Sequence, residues 1–285
     1  MTPLTHNHST TRTSAGVAGY SGAAFVAFLL VSSAGCSGGA ARPESGPTTG
    51  PDVLAAARAR PLPRTLSGTA RMEAYVDGTA RKADLLLIIA TPDKAQIQAM
   101  TPTMEMIAVM ATDGQRFSSF ERGGQVCRVG RACAANMARL VPLGLPPNEL
   151  VAAILGLPPI LEDAEPEASW DAERGAWKLG LAKPPWRQEL WVKPPQMVIL
   201  ASILYRDGKR TASIAYGTHG TLGSDGPPRK MRMRWADDKV DVSIELRDVD
   251  LNEVIESDAF TVPCPRGMAQ LELPCEQTAT SAEGH

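Results

Sequence analysis

The chain has 285 residues and a formal net charge of −2, with 44% hydrophobic, 21% charged and 5% aromatic residues. The near-zero charge balance removes the main electrostatic reason to expect nucleic acid as a partner. Beyond residue 36 no apolar run approaches the roughly 18 residues that a membrane-spanning helix needs, so no later segment is expected to cross a bilayer as a helix.

The N-terminal stretch carries the strongest signal. Residues 23–31 are an unbroken apolar run, followed by Ser32, Ser33, Ala34 and Gly35 and then Cys36. This run is short enough for a secretory h-region and too short to span a membrane. It resembles a bacterial lipoprotein signal peptide. The resemblance implies removal of residues 1–35, a diacylglyceryl thioether on the Cys36 sulfur, palmitate or a similar acyl group on the new N-terminus, and a membrane anchor. Two features depart from the pattern: Ser33 stands where Leu is favoured, and Arg12 is the sole Lys or Arg before residue 23. Either the start codon lies downstream of Met1 or the signal is a lax one. An ordinary secretory signal cleaved elsewhere, or an N-terminal anchor, is the competing reading. Ser37 after the cysteine, in place of Asp, implies outer-membrane sorting and a domain facing the periplasm.

Residues 36–64 are rich in Ser, Gly, Pro and Thr and predict a flexible tether. Within it, 52–60 (DVLAAARAR) can form a short helix that Pro61 and Pro63 end. The folded domain is expected over 65–275, and 276–285 as a disordered tail. In the domain the dominant period is two. Leu66, Gly68, Ala70, Met72, Ala74 and Val76 form one face of a strand whose other face is largely polar. Asp77-Gly78 turns the chain into a second strand over 79–90. Strands follow over 94–101, 104–111 and, after Asp113-Gly114, 115–120. Short helices are expected over 134–140 and 146–156, the second started by Pro146-Pro147 and ended by Gly156. Strands resume over 176–181, 186–192, 197–206, 210–216, 230–235 and 240–246. The fold class is mainly β (α+β): a curved antiparallel half-barrel of about ten or eleven strands, with short helices on its concave side.

The cysteine count is odd. Assigning Cys36 to lipid leaves Cys127, Cys133, Cys264 and Cys275, which an oxidising compartment would pair as disulfides. Pairing neighbours gives Cys127–Cys133 and Cys264–Cys275, one of three connectivities. Neither spacing matches a zinc knuckle, so no metal is expected. The 65–275 region contains no Gly-x-Ser-x-Gly elbow, phosphate loop or His-Glu-x-x-His helix, and no cofactor or enzymatic activity is expected. His219 is a lone histidine in a Gly/Thr loop. Arg229, Lys230, Arg232 and Arg234 read as a solvated strand face, as do Glu162, Asp163, Glu165 and Glu167 as a solvated loop.

Three stretches carry a further resemblance: the opening strand Leu66-Ser67-Gly68-Thr69-Ala70-Arg71, the strand pair of 109–120 about Asp113-Gly114, and Leu145-Pro146-Pro147-Asn148-Glu149-Leu150 with Leu155-Gly156 before a second run of strands. Behind a lipoprotein signal, this order resembles the LolA/LolB-like lipoprotein-carrier superfamily, and Asp258 to Pro263 looks like its closing strand. The resemblance implies a half-barrel enclosing an apolar cavity for a lipid or for the acyl chain of another lipoprotein. The candidate lining is Leu87, Ile89, Met104, Met106, Met110, Leu150, Ile154, Leu190, Val192, Met197, Ile199 and Ile203. The alternative is that these residues simply pack together. Two functions follow: a membrane-anchored carrier or receptor for a hydrophobic ligand, or a non-enzymatic structural or assembly subunit that uses the same fold to dock an envelope protein.

Overall fold

A computed structural model describes residues 39–138, 144–217, 226–235 and 239–275. The leader, Cys36, His219 and the 276–285 tail lie outside the described residues. The long alternating segments form the centre of one sheet. Strands β1 (Thr65–Val76) and β2 (Thr79–Ala90) pair along their whole length, and β1 pairs on its other side with β13 (Val240–Leu251). From β2 a meander runs outward through β3 (Lys94–Met100), β4 (Met106–Thr112), β5 (Arg116–Glu121) and β6 (Val126–Arg131). From β13 a second meander runs the other way through β12 (Lys230–Trp235), β11 (Lys209–Tyr216), β10 (Val198–Arg206), β9 (Trp186–Lys193), β8 (Ala176–Lys183) and β7 (Pro166–Asp171). Strand β14 (Ala269–Leu273) adds to β6, giving a 14-stranded sheet with β7 and β14 as its two open edges. The expected open half-barrel with few helices is therefore the architecture of the domain.

Apolar faces of both meanders turn inward, and helices cover them. Helix α1 (Gly50–Arg58) begins at Thr49, whose Oγ1 accepts the Asp52 N–H, and buries Val53, Leu54 and Ala57. A side chain at Gly50 would collide with the Pro166 carbonyl at 1.8 Å, so this close approach needs glycine. After the short α2 (Ala134–Met137) comes α3 (Pro147–Ile154), which buries Leu150, Val151, Ala153 and Ile154. It stops at Gly156, whose φ of +95° is the left-handed turn expected of a C-terminal glycine. Arg60 Nη2 donates to the Leu155 carbonyl at 3.0 Å, placing a cation at the negative end of this helix.

Three strands beyond the expected set lie at or near the edges. Edge strands are short and partly solvated, so the in–out alternation that reveals central strands is weak in them. β7 starts at Pro166, which an edge strand tolerates because the missing N–H has no ladder partner to lose. The closing strand expected near Asp258 is instead a 3₁₀ turn, Ser257–Phe260, with Phe260 buried, and the closing strand is β14.

The stretch expected as a free tether is docked from residue 39 onward. The Ala40 N–H donates to the Ala172 carbonyl at 2.8 Å, Trp170 Nε1 donates to the Ala40 carbonyl at 2.8 Å, and the Arg42 guanidinium stacks 4.5 Å over the Trp177 ring. With Ala40 beside Ala172 and Gly50 beside Pro166, this segment runs along β7 and covers that edge. Composition alone misses this, because docking depends on tryptophans more than a hundred positions away.

The disulfides correct the expected pairing. They are Cys127–Cys264 and Cys133–Cys275, not the two local rings. The cause is topological. Among the described pairings β14 against β6 is the parallel one, with Gln270 opposite Cys127 and Leu273 opposite Gly130. Parallel strands place start beside start and end beside end, so the earlier cysteine of each pair meets the earlier of the other. The bridges span sequence separations of 137 and 142. Loops of that size remove about 4–5 kcal/mol of chain entropy from the unfolded state, against ~2–3 for the local rings. Peptide mapping without reduction is expected to recover the 127–264 and 133–275 crosslinked peptides. Replacing Cys133 and Cys275 with Ser should lower unfolding stability by about 2–5 kcal/mol. Recovery of a 127–133 crosslink would contradict this topology.

Candidate functional site

The expected cavity lining falls into two groups. Leu87 and Ile89 of β2, Met110 of β4, Leu190 and Val192 of β9, Met197, and Ile199 of β10 are buried in one core cluster with Leu150 and Ile154 of α3. Each of these side chains is at most 8% exposed. Helix α3 is fastened onto this face by Tyr216, whose hydroxyl donates to the Ala153 carbonyl at 2.9 Å. Burial pushes the Tyr216 pKa up, so the phenol stays a neutral donor. These positions thus pack on one another, and the middle of the concave face is occupied by side chains. The remaining three lie apart. Met104 is 58% exposed at the β3–β4 turn, Met106 is half-buried opposite Met100, and Ile203 is half-buried opposite Glu189.

The inner face also carries polar residues that hydrophobic patterning passes over. Gln188 is 2% exposed. Its Nε2 donates to Ser202 Oγ at 2.9 Å and to the Pro159 carbonyl at 2.7 Å, and its Oε1 accepts the Leu161 N–H at 2.7 Å. A buried amide with three partners is satisfied, and it ties the segment after α3 to β9 and β10.

The open space lies to one side. The β10–β11 ladder begins at Ala201 opposite Ala215, so Val198 and Ile199 pair with β9 alone and have no partner in β11. A register shift against β9 leaves Leu200 as the bulged residue between Ile199 and Ala201. The result is a groove of about 700 Å³. Val198, Ile199, Leu200, Ala201, Ala215 and Pro228 form its apolar walls, and Tyr216 and Gly156 lie at its inner end. Arg60 lies beside Gly156, and the remaining polar lining is Arg174, Lys193, Gln196 and Glu173. This volume is in the range of pockets that hold one small ligand, roughly 300–1,000 Å³. Of this lining, sequence analysis had singled out Ile199 alone; the signal for the rest is a ladder irregularity that single-sequence periodicity does not encode.

The β7–β8 turn is rigidly built. The Asp171 carboxylate accepts the Arg174 backbone N–H at 3.0 Å, Arg174 Nη1 at 3.1 Å and Trp191 Nε1 at 2.9 Å. The Arg174 backbone bond, then the Trp191 and Arg174 side chains, hold its pKa below the ordinary aspartate value. The Arg174 guanidinium also stacks 4.5 Å over the Trp191 ring. A second depression of about 570 Å³ adjoins this turn, between the docked residues Ala40, Ala41 and Pro43 and Gly175, Pro194, Pro195 and Met197. A third, of about 600 Å³, lies between α1, α3 and the 157–164 segment. There Glu149 is pushed above the ordinary glutamate range by burial and by Glu162.

Two of the basic strand residues share one carboxylate. Arg232 grips Asp241 through Nε at 2.8 Å and Nη2 at 2.6 Å, and Arg234 Nε meets the same carboxylate at 3.0 Å. The Arg232 hydrogen bonds chiefly hold Asp241 below its usual pKa. Lys183 meets Asp163 at 3.0 Å in the acidic loop. Among the described residues no group of three or more His, Cys, Asp or Glu is placed to hold a metal, and no helix is long and apolar enough to cross a membrane.

Three solved structures share this fold. A LolA superfamily protein from Nitrosomonas europaea matches with a TM-score of 0.52 at 12% identity, over 76% of this chain and 99% of its own. A domain from Vibrio parahaemolyticus ascribed to outer membrane lipoprotein sorting matches with a TM-score of 0.52 at 10% identity, over 74% and 96%. A DUF1329 family protein from Desulfovibrio piger matches with a TM-score of 0.52 at 10% identity, over 73% and 94%. No protein-family model and no curated protein sequence matches the chain. The LolA-type half-barrel expected from the sequence is thus the fold of this chain.

Core and groove predict different responses to substitution. Ile89→Ala should lower unfolding stability in denaturant titration by about 2–5 kcal/mol, because it opens a void among packed side chains. Ala215→Trp, at an exposed groove position, should change stability by no more than about 0.5 kcal/mol. A negligible cost for Ile89→Ala would show that the concave centre is open.

Proposed function

We propose that this protein is a lipid-anchored envelope lipoprotein that binds a hydrophobic ligand, a lipid or the acyl chain of another lipoprotein, as a carrier or receptor. In this reading the mature chain starts at Cys36, whose sulfur carries the diacylglyceryl anchor, and the domain sits on the outer membrane facing the periplasm. The observation that carries the binding role is the apolar groove of about 700 Å³ between β10 and β11. Burying an acyl chain there would contribute ~0.8 kcal/mol per methylene removed from water. Two long-range disulfides fit an oxidising compartment. Solved proteins of the same fold include one ascribed to outer membrane lipoprotein sorting, which supports a lipid-related role for this one.

The groove favours binding over catalysis. Its lining, among the described residues, contains no Ser, Thr, Cys or His. Tyr216 supplies the single hydroxyl, and its proton is committed to the Ala153 carbonyl. A structural subunit that docks an envelope protein is the second reading, and the packed concave centre favours it; the groove is what a pure docking module would not need.

Growth with radiolabelled palmitate tests the anchor. The wild-type protein should take up label, and a Cys36→Ala variant should not. Native mass spectrometry of the purified protein should show a bound lipid of defined mass. Absence of label in the wild type would overturn the anchor, and repeated absence of bound lipid would favour the docking subunit.

A further inference from the structure

The methionines of this chain divide into two sets. Met72, Met110, Met137, Met197, Met231 and Met233 belong to the core cluster. Met100, Met104 and Met106 do not, and these three lie together on the β3–β4 hairpin. Of the other described methionines, Met268 alone is also outside the core. Methionine in a core fills gaps. Met104, 58% exposed, and the half-buried Met100 and Met106 fill none there.

The hairpin brings the three together. β3 and β4 pair in step from Ala95 opposite Thr112 to Ala99 opposite Ala108. Continued in step, Met100 would face Ile107. Ile107 is instead a bulged residue, and Met100 stands directly opposite Met106. Directly opposed residues have Cβ atoms about 4.5–5.5 Å apart, within reach for two flexible thioethers to meet at one ion. Thr101 closes the turn between them. Its N–H donates to the Glu105 carbonyl at 2.8 Å, its carbonyl accepts the Met104 N–H at 2.9 Å, and its Oγ1 accepts the Glu105 N–H at 3.1 Å. Met104 is thereby held at φ +62°, a left-handed conformation that ordinarily falls to Gly or Asn. A turn needed only to reverse the chain would be better served by glycine.

The donors on offer are sulfur alone. Glu105, the carboxylate of the turn, is paired with Arg122 at 3.0 Å. The described cysteines are held in two disulfides. A thioether is neutral, has no proton to lose and cannot form a disulfide, so it remains a donor in oxidising surroundings where thiols do not. Thioether sulfur is a soft donor that selects Cu(I), whereas Mg(II), Ca(II) and Mn(II) take oxygen. We propose that the β3–β4 hairpin binds one soft monovalent metal ion, Cu(I) or its analogue Ag(I), through the sulfurs of Met100, Met104 and Met106. The site is independent of the hydrophobic-ligand reading, since the hairpin shares no residue with the β10–β11 groove.

The test uses the purified full chain with its disulfides intact and with Cys36→Ser, so that no free thiol competes. The probe is Ag(I), which needs no reductant, in chloride-free buffer. Native mass spectrometry should show one Ag(I) bound per chain. In NMR spectra of protein with isotope-labelled methionine methyls, one equivalent of Ag(I) should shift the Met100, Met104 and Met106 signals and leave those of Met110 and Met268 in place. Zn(II) should shift none of them. Met104→Leu keeps the volume and removes the sulfur at an exposed position. It should weaken Ag(I) binding by at least about tenfold, the lower end of the loss when even an outer-shell partner of a metal ligand is removed. Met268→Leu should leave binding unchanged. Affinity should be equal at about pH 5 and pH 8, because thioethers do not titrate, whereas histidine or carboxylate ligands would yield the ion to protons at the lower pH. Ag(I) that moves none of the three methyls, or that binds more weakly at the lower pH, would overturn the site. A response of the hairpin methyls to phosphatidylglycerol vesicles with none to Ag(I) would mark an apolar contact surface and overturn it too. Met100→Leu, which leaves the turn untouched, should give a loss of the same order as Met104→Leu, and undiminished binding by either variant would overturn the three-sulfur site.

Discussion

The seating of α3 on the concave face of the sheet is the constraint from which the rest of the structure follows. A sheet with one continuous apolar face must cover that face or aggregate. Here Leu150 and Ile154 sink among Leu87, Ile89, Met110, Leu190 and Val192, and Tyr216 pins the helix through the Ala153 carbonyl. Gly156 lets the chain leave without a clash, since a side chain there would lie 2.9 Å from Pro228 and 3.0 Å from Arg60. Because helices cover the middle of the half-barrel, the open groove lies to one side, along β10 and β11.

The two terminal strands of the sheet are held in unlike ways. At β7 the segment of residues 39–50 lies alongside and contributes hydrogen bonds and a cation–π contact. At β14 two disulfides tie the C-terminal segment to β6, and Asn136 Nδ2 donates to the Arg131 carbonyl at 2.9 Å nearby. Unprotected edges would offer backbone groups to other chains.

The central strands were legible from their patterns. β1, β12 and most of β13 alternate apolar and polar side chains, while β2 ends in the apolar run Leu85 to Ile89; β13 continues to Leu251, beyond the 240–246 read from the sequence. Helix α3 was legible from its proline start and glycine stop. What stayed hidden depends on contacts distant in sequence. The docking of residues 39–49 needs Trp170 and Trp177; the disulfide connectivity needs the parallel placement of β14; Gln188 reads as a surface residue until Pro159 and Leu161 are brought to it. Nine of the twelve expected lining positions are buried in the core cluster, and a buried position is not the same as one that lines a void. Whether a gap remains depends on how completely α1 and α3 fill the concave face, and no local pattern records that.

The account stands or falls on where an acyl chain sits. A fatty acid with a photoactivatable diazirine near its methyl end, irradiated with the protein and mapped by peptide mass spectrometry, would locate it. The packing described here predicts crosslinks to Val198, Leu200, Ala201 or Ala215. Crosslinks to Leu87, Ile89 or Met110 would show that the concave centre opens to receive the chain, and would contradict the account.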